Sequence, residues 1–165
     1  MTLYVLVFFA MSSLMVYAED QETVFYNCRE YNGSTVVEHQ EECKNYTLVQ
    51  ESSVNRTFTN GWYVFKGDVS YLGRINVKGD NVNFILTNDC TVNASSGINL
   101  RSDSNTRLTI WGQTGDKGVL NANTDKISLV ERYSGIGGGR HWGNGGSVTV
   151  EGGQLIATSG TISVD

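Results

Sequence analysis

Basic residues are scarce in this 165-residue sequence, which has 12 Lys and Arg against 17 Asp and Glu and a formal net charge of −5. Nucleic acids and anionic membranes attract proteins through basic surfaces, so this balance argues against both kinds of partner. Residues that could bind zinc are scarce as well: the sequence has three cysteines and two histidines, His39 and His141. They are dispersed and do not follow the spacing of a zinc site. The sequence predicts no metal site and no cofactor.

Apolar runs long enough to cross a bilayer are missing, and the longest one stands at the start of the sequence. Met1–Ala18 has no charged residue, carries an apolar run over residues 3–15, and ends in a signal-peptidase pattern before Glu19. The alternative, a membrane anchor, would need a longer run, since a spanning helix takes about 20 residues. We expect residues 1–18 to be a signal peptide, the mature chain to be secreted or held at the cell surface, and no membrane span to remain.

Export makes the cysteines and the glycosylation motifs informative. Cys28 and Cys43 lie in a polar, acidic segment, where we expect a disulfide between them. Cys90 has no expected disulfide partner, and we expect it to be a small buried residue. Four Asn-x-Ser/Thr triplets begin at Asn32, Asn45, Asn55 and Asn93. They are acceptors for glycans only in a eukaryotic secretory pathway, and such triplets also arise by chance in a chain rich in Asn and Thr.

Residues 61–165 contain short β-branched runs separated by Gly, Asn, Asp and Ser, with no helical periodicity. Equivalent positions recur, since Ile75 and Ile98 are 23 residues apart and Phe84 and Leu108 are 24 apart. Three short strands every 22–25 residues are typical of a parallel β-helix, in which each coil, or rung, stacks on the one before. An antiparallel β-sandwich with similar strand counts is the alternative.

The pattern predicts an all-β fold, a right-handed parallel β-helix of about three rungs over residues 61–165, preceded by a polar N-terminal segment or cap over residues 19–60. Because strand side chains alternate between faces, inward columns can be assigned. The first column is expected to be Phe84 and Leu86, Leu108 and Ile110, and Val148 and Val150. The second is expected to be Val92, Leu120 and Ile156, with Asn93, Asn121 and Ala157 facing outward.

Two glycine-rich segments near the end of the sequence resemble a known repeat. Gly135-Ile-Gly-Gly-Gly, followed by Gly145-Gly-Ser-Val-Thr-Val-Glu-Gly-Gly-Gln-Leu-Ile-Ala-Thr-Ser-Gly160, is similar to the rung of secreted right-handed parallel β-helix proteins with the pectate-lyase-like fold. The similarity is greatest to glycine-rich surface proteins of gut bacteria. It implies a secreted or surface-displayed module of the carbohydrate-binding or adhesin-like kind.

The last five residues, 161–165, read as the first strand of another rung without a polar cap. An uncapped solenoid end exposes unpaired backbone. We expect the sequence to be a fragment of a longer protein, with pairing to another chain as the alternative.

No catalytic constellation is visible in the sequence. Lyases and hydrolases with this fold need carboxylates that converge on one face, but the carboxylates here fall in turns between strands of different rungs: Asp80, Asp89, Asp103 and Asp116. Glu151 is the only acid expected in register beside an aromatic residue, Trp111 of the adjacent rung. The pattern favours a non-catalytic protein and leaves the enzyme question open.

The loop over residues 137–146 has an unusual composition, with Arg140, His141 and Trp142 among glycines. Aromatic faces suit the apolar side of a sugar ring, so Trp142, with Arg140 and His141, is a candidate sugar platform that Trp111 would extend. The alternative is that this segment is a flexible loop between two strands with no binding role.

Three functions remain open at this level. The first is a secreted, non-catalytic β-helix that binds carbohydrate or a surface partner through its outer face. The second is a polysaccharide lyase or hydrolase fragment, and the third is a structural stalk with no ligand.

Overall fold

The computed structural model of the chain describes residues 22–100, 105–124, 134–137 and 146–159. These residues form fifteen β-strands, and thirteen of them belong to three parallel sheets that the chain visits in rotation. This arrangement is a right-handed parallel β-helix, as the spacing of the apolar runs predicts. The expected signal peptide, residues 1–18, lies outside the described residues.

The strands are short, as the sequence predicts. Their bounds are β1 Val24–Tyr31, β2 Val36–Cys43, β3 Thr47–Leu48, β4 Arg56–Phe58, β5 Gly61–Phe65, β6 Asp68–Tyr71, β7 Ile75–Val77, β8 Val82–Leu86, β9 Thr91–Ala94, β10 Ile98–Leu100, β11 Arg107–Trp111, β12 Val119–Thr124, β13 Ile136–Gly137, β14 Ser147–Val150 and β15 Gln154–Ser159.

Sheet I has the strand order β14-β11-β8-β5-β3, sheet II the order β15-β12-β9-β6, and sheet III the order β13-β10-β7-β4. Three complete rungs, β5–β7, β8–β10 and β11–β13, lie between β3–β4 and β14–β15 in the described part of the chain. Parallel pairing therefore begins at Thr47, within the segment that the sequence suggested as a cap. The inner faces of the three sheets form one apolar core.

The predicted columns agree with the register in part. Leu108 aligns with Val148 as expected, but its partner on the other side is Val82, and Phe84 pairs with Ile110 instead. This shift of two residues keeps Phe84 facing inward, because the side-chain period of a strand is two.

The register of β15 differs from the expectation by one residue. Leu120 pairs with Val92 as predicted, but its partner in β15 is Leu155, and Ile156 pairs with the outward-facing Asn121. Since a one-residue shift exchanges the faces of a strand, Ile156 is 46% exposed and Ala157 aligns with the inward Ala122 column.

The first two strands, β1 and β2, form an antiparallel hairpin that pairs Val24 with Cys43 and Tyr31 with Val36. All three cysteines of the sequence are described, and all three are free thiols. The expected Cys28–Cys43 disulfide is absent because the register places Cys28 opposite His39 and Cys43 four ladder positions away, opposite Val24. Strand residues rise about 3.3 Å each, which puts the two far beyond the Cα separation of a disulfide.

Candidate functional site

The β1–β2 hairpin covers part of the outer face of sheet I. The ring of Tyr26 lies 4.7 Å from that of Trp62 and 5.0 Å from that of Trp111, between ring centroids. Val64 and Ile85 point outward from β5 and β8, yet both are buried, because Val24 and Cys43 of the hairpin pack in the same cluster. The hairpin thus closes the face with a second, smaller apolar core.

Polar contacts hold the hairpin at the corner between β11 and β12. Asn27 donates its backbone N–H to the carbonyl oxygen of Gly112 at 2.9 Å. Arg29 donates from Nη2 to Asp116 Oδ2 at 2.8 Å and from Nη1 to the carbonyl oxygen of Glu151 at 3.0 Å. The hairpin therefore contacts β5, β8, β11 and the end of β14, and so runs along the solenoid axis.

Trp111 faces outward from sheet I, as alternation predicts, but it packs beneath the hairpin. Its ring is half-buried and its Nε1–H donates to Asn83 Oδ1 at 3.0 Å. Trp111 is therefore not the open sugar platform that the sequence suggested. Glu151 follows β14 at the end of the hairpin, where its carbonyl oxygen accepts from Arg29. The other proposed platform residues, Arg140, His141 and Trp142, lie outside the described residues.

The hairpin thiols are poor nucleophiles. Burial, followed by the charge of Glu41, raises the pKa of the Cys28 thiol, and burial raises the pKa of Cys43. Because the thiolate is the reactive form, a raised pKa suppresses reaction at neutral pH.

The turn carboxylates have local structural partners. Asp116 is held by Arg29, Asp89 accepts from the hydroxyl of Thr87 at 2.6 Å, and Asp80 accepts from the side chain of Asn60 at 2.8 Å. The fourth, Asp103, lies outside the described residues. Among the residues that are described, no group of three or more His, Cys, Asp or Glu is placed to hold a metal ion.

A shallow groove of about 360 Å³ opens beside the hairpin, at the first-strand edge of sheet I. Two segments form it, the connection from β2 into β3 and the corner from β4 into β5, which the parallel pair Thr47–Tyr63 brings together. Its lining residues are Asn45, Tyr46, Thr47, Asn60, Gly61, Trp62 and Tyr63. We call it the Tyr46–Trp62 groove.

The aromatic residues of the groove are held in place. Tyr46 donates its hydroxyl to the carbonyl oxygen of Glu22 at 2.7 Å, and Tyr63 donates to that of Thr59 at 3.1 Å. Trp62 is fixed by Tyr26 behind it. The site therefore combines rigid rings with side chains that donate and accept hydrogen bonds.

Asn45 and Thr47 contribute the polar part of the groove, and both residues are exposed. Asn60 is exposed too, but its amide oxygen accepts from the backbone N–H of Asn81 at 3.2 Å while its amide nitrogen binds Asp80. A ligand in the groove would therefore find Asn45 and Thr47 available and Asn60 already oriented.

Sequence reasoning missed this groove, although each half carries a signal. Asn45-Tyr46-Thr47 and Asn60-Gly61-Trp62-Tyr63 both place aromatic residues beside asparagine. Their proximity follows from the pairing of β3 with β5, and β3 is too short to be recognised by alternation.

Elsewhere, outward asparagines stack into amide ladders along the axis. Asn99 donates to Asn76 at 2.9 Å on sheet III, and Asn121 donates to Asn93 at 2.9 Å on sheet II. These faces are mostly polar, although Ile156 is exposed on sheet II, and no aromatic ring points outward from their described strands.

Comparison of the chain with known protein families, with curated proteins and with solved structures finds no significant match. Over the residues that the structure describes, no helix is long and hydrophobic enough to span a membrane.

Proposed function

We propose that this protein is a secreted or surface-displayed, non-catalytic β-helix module that binds carbohydrate through the Tyr46–Trp62 groove. The observation that carries the proposal is the combination of three held aromatic rings, those of Tyr46, Trp62 and Tyr63, with amide and hydroxyl groups in one shallow groove. Aromatic faces pack against the apolar face of a sugar ring, while amide and hydroxyl groups pair with sugar hydroxyls.

Three further observations support the proposal. The apolar, uncharged pattern of residues 1–18 predicts a signal peptide, and the rung pattern resembles secreted β-helix proteins of the carbohydrate-binding or adhesin-like kind. Asp80, Asp89 and Asp116, which an enzyme would need to converge, are engaged in separate local contacts. The net charge of −5 favours a neutral glycan as the partner over nucleic acid.

A depletion assay tests the function. Residues 19–165, produced in a host without N-glycosylation, are mixed with insoluble polysaccharides, and both the protein and the released sugar in the supernatant are measured. We expect retention on one class of glycan without sugar release. Sugar release would establish the enzyme alternative, and neither retention nor release from a chain with a β circular dichroism spectrum would refute binding.

Point variants test the site. Asn45→Ala and Thr47→Ala remove one exposed polar group each, and we expect affinity to fall about 3- to 10-fold, the equivalent of one hydrogen bond. Thr57→Ala is the matched control, because Thr57 is an exposed strand threonine on β4, outside the groove. Equal affinities of all three variants would place the ligand elsewhere.

The amide ladders favour a second candidate, a structural stalk. They link outward side chains of neighbouring rungs to one another, which favours stacking without a ligand. A stalk predicts a folded chain that is retained on no glycan.

A further inference from the structure

The four Asn-x-Ser/Thr triplets share a structural property that the sequence alone does not reveal. Asn32, Asn45, Asn55 and Asn93 are all exposed. Of the other ten asparagines in the described residues, only three are exposed: Asn60, Asn81 and Asn105. If the triplets had arisen by chance, their asparagines would be exposed about as often as the others. All four are exposed, so the motif is concentrated on the surface.

Exposed apolar side chains stand beside these motifs. Tyr31 and Val54 are 72% and 68% exposed, the highest values among the large hydrophobic residues described, and they directly precede Asn32 and Asn55. Isolated apolar side chains on a surface are common, but the two most exposed ones adjoin the same motif. A bulky, solubilising glycan at each asparagine would cover this surface.

Another exposed apolar residue lies near Asn55 in the fold. Leu72 is 57% exposed, and the backbone N–H of Arg74, two residues later, donates to Asn55 Oδ1 at 2.7 Å. This bond occupies the amide oxygen and leaves the amide nitrogen, the atom that carries a glycan, outside the contact. At Asn93 the amide oxygen is likewise the acceptor, for Asn121.

The hairpin turn orients the first site in the same way. Asn32 Oδ1 accepts from the backbone N–H groups of Ser34 and Thr35 at 3.1 and 3.0 Å, which closes an Asx turn over the triplet. The amide nitrogen again takes no part in these bonds.

We propose that the chain is an N-linked glycoprotein modified at Asn32, Asn45, Asn55 and Asn93. In the reaction, the amide nitrogen forms a bond to C1 of a sugar donor, the bond from C1 to a polyprenyl diphosphate breaks, and the amide loses one proton. The donor is a lipid-linked oligosaccharide of the secretory pathway, so the proposal places the protein in a eukaryotic secretory route.

Asn45 also lines the Tyr46–Trp62 groove, so its glycan would share that space with an added ligand. This consequence rests on the proposed function, whereas the modification itself does not. The two are tested separately, since mass and mobility report the glycan whether or not the groove binds anything.

The full chain with its own leader is expressed in a eukaryotic secretory cell line, and the secreted product is treated with a peptide N-glycosidase. We expect a mobility increase on treatment and conversion of the four asparagines to aspartates, read by mass spectrometry. Single variants Asn32→Gln, Asn45→Gln, Asn55→Gln and Asn93→Gln should each remove one step of the mobility ladder. Asn60→Gln and Asn81→Gln, exposed but outside the motif, should leave the ladder unchanged.

A secreted chain with no glycosidase-sensitive mass would overturn the proposal. If the chain's own leader does not direct secretion, residues 19–165 behind an established signal peptide give the same readout, with the same two outcomes. A variant that carries all four Asn→Gln substitutions and is still sensitive to the glycosidase would also contradict the assignment.

Discussion

Arg29 Nη2 donates to Asp116 Oδ2 at 2.8 Å, which joins the N-terminal hairpin to a corner 87 residues later in the chain. Arg29 also pairs with Glu38 across the hairpin. We expect Arg29→Ala to lower the free energy of unfolding by about 1 kcal/mol, a modest value because the arginine side chain is 37% exposed and water screens its charge. Denaturant titration followed by circular dichroism measures this loss.

Lys44→Ala is the control for Arg29→Ala, since Lys44 pairs with Glu42 at the surface with 66% of its side chain exposed. Its effect should stay below about 0.5 kcal/mol. Equal losses in the two variants would show that the Arg29 contacts do not fasten the hairpin.

Trp111 is expected to stabilise the hairpin interface. Trp111→Ala removes a half-buried ring and its hydrogen bond to Asn83, and should destabilise the fold by about 2 kcal/mol, below the 3–5 kcal/mol typical of a fully buried tryptophan. Thr149→Ala, an exposed position on the same outer face, should change stability by less than about 0.5 kcal/mol. A Trp111→Ala variant as stable as the native chain would mean that the hairpin does not pack on sheet I.

Gly97 combines a left-handed backbone with close packing against the next rung. Its φ is +69°, and a Cβ there would lie 2.6 Å from the carbonyl oxygen of Ser134. Gly33 has φ +93° but open space around it. Gly33→Ala should therefore cost about 1–2 kcal/mol from backbone strain alone, whereas Gly97→Ala should cost roughly 3 kcal/mol or more. Thermal and denaturant unfolding measure both variants. Equal losses of stability in Gly33→Ala and Gly97→Ala would contradict the close packing of Gly97 against the next rung.

Alkaline pH should destabilise the fold through the buried Cys90 and the half-buried Tyr26. Burial raises the pKa of Cys90 from 9.0 to about 12, and burial, followed by the charge of Cys28, raises that of Tyr26 from 10.0 to about 12. Both groups are neutral in the fold, so as the pH rises past 9 the unfolded chain ionises first and the free energy of unfolding falls.

Denaturant titrations between pH 7 and pH 11 measure this effect. These two groups should leave the free energy of unfolding unchanged below pH 9 and lower it above pH 9. Cys90→Ala should make this decline less steep. A native chain and a Cys90→Ala variant with the same slope above pH 9 would show that Cys90 is not buried in the fold.

The repeat spacing predicted the helix because a rung is a local unit whose apolar positions recur. It made Ile75 and Ile98 equivalent positions of successive rungs, and the structure pairs them. Alternation specifies which face a residue occupies but not its partner, since a shift of two residues preserves the face. The pairing of Phe84 was therefore predicted two residues away from its true partner.

The hairpin interface was not predictable in the same way, because it joins residues that are far apart in the sequence. Strand β8 carried one signal in the sequence, since its near-continuous apolar run Val82-Asn-Phe-Ile-Leu86 does not alternate between apolar and polar residues. In the structure all five of its residues are buried. A strand buried on both faces implies a second layer, but its sequence does not identify which segment supplies the layer. The groove depends on the same long-range placement, through β3.

The central claim, that the ligand site is the Tyr46–Trp62 groove and not the covered face beneath the hairpin, is tested most directly by the tryptophan indole N–H signals. Nitrogen-15 NMR of residues 19–165 from a host without N-glycosylation, titrated with soluble fragments of the retained glycan, resolves these signals, and Trp→Phe variants assign them. The account predicts that the indole N–H signal of Trp62 shifts as glycan is added and that the shift saturates. The signal of Trp111, whose indole N–H is hydrogen-bonded to Asn83, should stay in place. A shift of Trp111 with Trp62 unchanged, or no shift of Trp62 under conditions where the glycan binds, would contradict it.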